Sequence, residues 1–145
     1  MDRVNVYIQT TIKGPRRRDG VGGYILECER QQGNATLTNF VQIENEAENG
    51  AEVITLAAAL SRMKKPCAFS IFTDSAYMEN ALKCEWWRSW ADDEWKNKKG
   101  EPIAHVEEWQ EIAKRLNESD LCHVLLKENH EYRKYLDNEL RRERA

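Results

Sequence analysis

Long apolar runs are missing from this 145-residue chain, and with them the ~20 consecutive apolar residues that a membrane-spanning helix needs. The start, Met1-Asp2-Arg3-Val4-Asn5, lacks the apolar core of a secretory signal, so a cytoplasmic protein without membrane attachment is expected. Cysteine is sparse. Cys28, Cys67, Cys84 and Cys122 are widely spaced with no CxxC pair, which argues against a zinc site and for free thiols in a reducing compartment. A strong excess of one charge is also lacking: charged residues make up 32% of the chain, yet the formal net charge is only −3. The molecule as a whole is therefore no electrostatic glove for nucleic acid, and any basic footprint must be local. Repeats, linkers and low-complexity tracts are missing too. A single domain over residues 1–145 is expected, long enough to bury roughly 68–70% of its unfolded surface.

What is present alternates between strand and helix signals. Val4 to Thr11 is β-branched and aromatic and is closed by Gly14-Pro15. Lys13, Arg16, Arg17 and Arg18 crowd the turn before Gly20, Gly22 and Gly23, and Tyr24 to Glu29 reads as the returning strand of a hairpin with a basic tip. Thr36 to Glu44 makes a third strand. From Ala51 the pattern becomes helical, with Ile54, Ala57, Ala58 and Met63 near the 3.6 period until Pro66. Ala68 to Thr73 follows as a central strand. Ala76 to Lys83 is a short helix, Trp86 to Lys99 is rich in tryptophan and lysine, and Val106, Trp109, Ile112, Ala113 and Leu116 mark another amphipathic helix. Leu121 to Lys127 is a last strand and Tyr132 opens a charged terminal helix. The order implies an α/β fold in which three antiparallel and two parallel strands form a mixed five-stranded sheet flanked by helices.

Two acids stand out in this frame. Asp74 lies at the carboxyl end of the central strand, where open α/β sheets place their chemistry. Its ordinary role would be to cap the following helix. Glu52, three residues after Asn49, would ordinarily belong to a capping box with Asn49 as the cap. Yet Glu52-Val53-Ile54-Thr55-Leu56-Ala57-Ala58-Ala59-Leu60, Thr73-Asp74-Ser75-Ala76-Tyr77 and Leu136-Asp137-Asn138-Glu139-Leu140, in that order, resemble the type 1 ribonuclease H family. The tryptophan-rich segment with Pro102, Val106 and Trp109-Gln110 resembles that family's basic protrusion, so the likeness covers nearly the whole chain.

The resemblance implies a ribonuclease H-like fold and a metal-dependent endonuclease that cuts the RNA strand of RNA–DNA hybrids. It also implies two Mg2+ or Mn2+ ions, with Glu52, Asp74 and Asp137 matching three of the four metal-binding acids. Two ions ~4 Å apart can activate water and steady a leaving oxygen, and hard cations favour clustered carboxylates over His or Cys. The fourth acid is replaced by Gln9 in Ile8-Gln9-Thr10-Thr11, and a neutral amide supplies no charge. Asp19 is the nearby acid considered as a substitute. His130, in a loop shorter than the family's, either takes the role of a catalytic loop histidine or is an ordinary exposed one. His105 and His123 read as structural.

For substrate, Asn49 matches a family asparagine that contacts nucleic acid, while Ala76 stands where the family has a contacting glutamine. Trp87, Trp95, Lys96, Lys98 and Lys99 are the expected binding residues of the protrusion, with Trp90 and Trp109 packing its helices. Lys13, Arg16, Arg17 and Arg18 form a second basic patch. The expected protein is a monomer. A rival reading is a degenerate member that binds hybrid or structured RNA without cutting it, for which Gln9 speaks; a third is a related nuclease or integrase with another polynucleotide substrate.

Overall fold

The computed structural model describes residues 2–126 and 131–144. The chain runs β1 (Asp2–Thr10), β2 (Arg18–Cys28), β3 (Ala35–Glu46), α1 (Glu48–Ser61), β4 (Cys67–Thr73), α2 (Ala76–Lys83), α3 (Trp86–Asp92), α4 (Val106–Glu118), β5 (Asp120–Leu126) and α5 (Arg133–Arg144). The sheet order is β3-β2-β1-β4-β5. β1 pairs antiparallel with β2 and β2 with β3, whereas β1 with β4 and β4 with β5 run parallel.

Side-chain alternation along β1 sorts the chain into two faces. Val4, Val6 and Ile8 join Phe69 and Ile71 of β4 beneath Leu56 and Leu60 of α1 and Trp109, Ile112 and Leu116 of α4. On the other face Tyr7 and Ile25 meet Leu136 of α5, and the Tyr7 and Phe72 rings stack with centroids 4.4 Å apart. Gln9 shares Tyr7's face by the same alternation, which turns it toward α5. The buried apolar side chains of both faces thus fix the depth at which the polar ends of β1 and β4 emerge.

Two local features differ from the sequence expectation. β2 begins at Arg18 rather than Tyr24, so Gly20, Gly22 and Gly23 lie in a strand and not in a hairpin tip. The reason is close approach: a Cβ on Gly22 would collide with the Thr55 hydroxyl of α1, and one on Gly23 would press on Leu140 of α5 at 3.2 Å. Glycine here lets helices settle onto both faces. α1 begins at Glu48, and its N-cap is Ala47 with no side-chain hydrogen bond; the Asn49–Glu52 capping box is not formed. Likewise Ser75, not Asp74, caps α2, accepting from the Met78 N–H at 3.2 Å. Both acids are therefore released from local capping.

Filling the Gly22 position should lift α1 from the sheet. Gly22→Ala is expected to cost ~1–3 kcal/mol, the usual penalty of overpacking, as a lowered midpoint in urea denaturation; an unchanged midpoint would mean that α1 is not held at this depth by contact with β2.

Candidate active site

α1 carries Glu48 and Glu52 one turn apart and so on the same side of the helix. Oxygens of Glu48, Glu52 and Asp74 all lie within 4.8 Å of one another. Glu52 is wholly buried. One of its oxygens accepts from the Thr73 hydroxyl at 3.3 Å, and the other, Oε1, has no hydrogen-bond partner among the described residues. Burial pushes the Glu52 carboxyl up to about 8; the Lys13 ammonium pulls it down, while Asp74 and Glu48 push it further up. Glu48 is fixed by the turn after β1, where its Oε1 accepts from the Gly14 N–H at 2.9 Å. Gly14 takes φ +81, a backbone conformation that suits glycine. The same turn delivers Lys13 to Asp74, with Nζ 3.4 Å from Oδ2.

The opposite face contributes from α5. Arg133 bridges two acids, its Nη1 3.0 Å from Asp74 Oδ2 and its Nε 3.4 Å from Asp137 Oδ2. The buried Gln9 amide donates to Asp137 Oδ1. Glu52 and Asp74 are thus brought together directly, and Asp137 joins them through Arg133 with Gln9 beside it. Asp19 does not substitute for the missing acid, because its carboxylate accepts from the Asn45 N–H at 2.9 Å, at the β2–β3 edge. His130 lies outside the described residues. Two members of this constellation, Glu48 and Arg133, were not singled out in the sequence. Their signals were the i,i+4 pairs Glu48/Glu52 and Arg133/Asp137.

The nucleic-acid candidates separate by burial. Trp87 is a correction: at 1% exposure it is part of the core and offers no ring to a ligand. Trp109 is equally buried, and Trp90 packs edge-on against it at 5.0 Å. Trp95 is half-buried, while Lys96, Lys98 and Lys99 are exposed on a turn closed by a bridge between Lys96 and Pro102. The Asn97 side chain accepts from the N–H groups of Lys99 and Glu101, which shapes that turn. Its far end is tied to the end of β3: His105 Nε2 lies 2.9 Å from Glu46 Oε2, and a Cβ on Gly50 of α1 would strike this pair. Arg16, Arg17 and Arg18 are exposed; Arg17 donates to the Asn45 carbonyl and Arg18 to that of Lys13. Lys13 faces the acid cluster rather than an open patch. Asn49 is exposed and lines, with Gly14, Pro15, Ala47 and Glu48, a surface depression of ≈390 Å³.

Clustered carboxylate oxygens with one buried and unpartnered fit a hard divalent cation. Comparison with known proteins agrees with this chemistry. The model of the family described as RNase H matches residues 2–131. Among curated relatives, a Ribonuclease H of Caldicellulosiruptor saccharolyticus is 33% identical over 73 residues, half of each chain. One of Gluconobacter oxydans is 30% identical over 115 residues, covering 76% of this chain and 69% of its own. The matches thus span about half the length of the first curated relatives. Among solved structures, LC9-RNase H1, a type 1 RNase H with the type 2 active-site motif, superposes with a TM-score of 0.72 at 21% identity over 96% of this chain and 70% of that one; it shares the fold.

Glu52 gives a signed pH dependence. Its folded carboxyl holds a proton up to about 8, whereas in the unfolded chain it ionises near 4.5. The folded state binds the extra proton between those values, so metal-free stability is full below the lower one and falls as pH rises toward the higher one. Glu52→Gln, which mimics the protonated acid, should remove the fall. In urea melts with a chelator present the variant should match the parent near pH 5 and exceed it near pH 8 by on the order of 1 kcal/mol or more; an equal difference at both pH values would contradict the assignment.

Proposed function

The chain belongs to the RNase H family, and from that premise we propose that it is a metal-dependent endonuclease acting on the RNA strand of RNA–DNA hybrids. The observation that carries the reading is the buried, unpartnered oxygen of Glu52 beside Glu48 and Asp74. A dry carboxylate oxygen without a partner costs stability, and a bound cation would offset that cost. Glu48, Glu52 and Asp74 would hold Mg2+ or Mn2+, which when bound supplies activated water and charge stabilisation for phosphodiester hydrolysis. The remaining roles fall to the protein itself. Thr73 orients Glu52, and Lys13 and Arg133 orient Asp74.

The hybrid would be read through groove shape, phosphates and 2′-hydroxyls. Exposed Lys96, Lys98, Lys99, Arg16, Arg17 and Arg18 suit phosphates, Asn49 at the start of α1 suits a sugar or phosphate oxygen, and half-buried Trp95 keeps a partly accessible ring. In this reading residues 1–145 act as one domain, a monomer in the cytoplasm, with Gln9 lowering the rate. The second reading, hybrid binding without cleavage, is favoured by one observation: Asp137 is already neutralised by Arg133 and occupied by the Gln9 amide.

Two experiments test this. A labelled hybrid should be cut in Mg2+ or Mn2+, single-stranded and duplex RNA should stay intact, and Glu52→Gln should slow cleavage roughly a hundredfold or more; a hybrid bound and left whole with both metals supports the second reading instead. Replacing Lys96, Lys98 and Lys99 together by Ala should weaken hybrid binding and flatten its dependence on salt, by up to about one unit of slope per lost phosphate contact. An unchanged slope would place the phosphate contacts elsewhere.

A further inference from the structure

We propose that the site takes a single divalent cation, held by Glu48, Glu52 and Asp74, and that the Arg133 guanidinium supplies, between Asp74 and Asp137, the positive charge a second ion would bring. The inference rests on the nuclease reading for its chemistry but on the geometry for its stoichiometry. Glu48 stands in for the carboxylate that the chain lacks at Gln9: it is one helical turn before Glu52, it is steered by the Gly14 N–H, and its oxygen is within 4.8 Å of the other two acids. The buried Oε1 of Glu52, without a hydrogen-bond partner among the described residues, points to a ligand at this trio rather than to an acidic patch facing water.

Asp137 is differently placed. Its Oδ1 accepts from the Gln9 amide and its Oδ2 lies 3.4 Å from Arg133 Nε. The other arm of the same guanidinium is 3.0 Å from Asp74 Oδ2. Arginine does not surrender its proton in proteins, so a metal between Asp74 and Asp137 would have to displace a permanent charge and break contacts to both acids. Charge balance agrees. Glu48, Glu52, Asp74 and Asp137, when ionised, set against Lys13 and Arg133, leave two negative charges over, which one dication neutralises and a second would overshoot. Arg133 is thus a positioning residue that replaces an ion.

The test is metal stoichiometry on the full chain stripped with a chelator, by calorimetric titration with Mn2+ and with Mg2+ and by the electron paramagnetic resonance spectrum of bound Mn2+. One ion per chain, with no spin coupling, is expected. Glu48→Gln should weaken binding roughly tenfold or more, Glu48→Asp by less, and Asp137→Asn should leave affinity nearly unchanged, each variant first checked for its helix signal and melting point. The double variant Gln9→Asp, Arg133→Gln should take up a second ion and develop the coupled spectrum. Two ions on the parent chain, no ion at millimolar concentration, or full affinity in a folded Glu48→Gln variant would each overturn the proposal. Cleavage separates it from the nuclease reading: one bound ion with an uncut hybrid sinks the nuclease and leaves the single-ion site standing, whereas two bound ions with cleavage does the reverse.

Discussion

The parallel pairing of β1 with β4 is the constraint on which the rest of the structure depends. The register from Asp2 opposite Cys67 to Tyr7 opposite Phe72 leaves both strands ending at the same edge, so Gln9, Lys13 and Asp74 emerge together. A parallel pair needs covering on both faces. α1 and α4 cover one with the larger apolar cluster, and α5 covers the other through Leu136 against Tyr7 and Ile25. Each covering helix then carries acids to the strand ends: α1 brings Glu48 and Glu52, α5 brings Asp137. The acids meet because the sheet is closed on both sides, not because any local segment concentrates them.

Such convergence is opposed by electrostatics, and the chain answers it unevenly. Asp74, at 13% side-chain exposure, has two cationic partners. Among the described residues Glu52 has none in direct contact and lies deepest, and its carboxyl is accordingly the one driven toward the neutral form, chiefly by burial. A fold selected for stability alone would place Gln or Leu there. Retaining an acid at that depth sets stability against the capacity to hold a cation, the trade expected of a functional site.

Periodicity and breakers in the sequence were enough to give the order of strands and helices, since the two faces of β1 and the stripe on α4 are written in apolar spacing. The motif acids Glu52, Asp74 and Asp137 were legible for a different reason, as short strings in a fixed order. What escaped depended on contacts between distant segments. Glu48 is hidden in the string because the polar run before Ala51 has the composition of a loop, and the Gly14 N–H and carbonyl grip it at the start of the helix. Arg133 could be paired with Asp137 by spacing, but its bond to Asp74, 59 positions away, belongs to the fold. The burial of Trp87 is not legible in the string because tryptophans among lysines look alike there, and which of them turns inward is decided by how α3 lies on α4. The glycines of β2 resemble a hairpin tip in the string, although their role is to make room for α1 and α5.

The tie between His105 and Glu46 bears on the entropy of the docking proposed for the lysine-bearing turn. The lysine-bearing turn is closed on itself by the Lys96–Pro102 bridge and fastened at its far end to the strand that leads into α1. The backbone that carries its lysines is therefore braced at both ends instead of hanging as a loose loop. On the proposed function, a polyanion docking there would lose its own freedom but force little further loss on the protein, leaving more of each phosphate contact to appear as affinity.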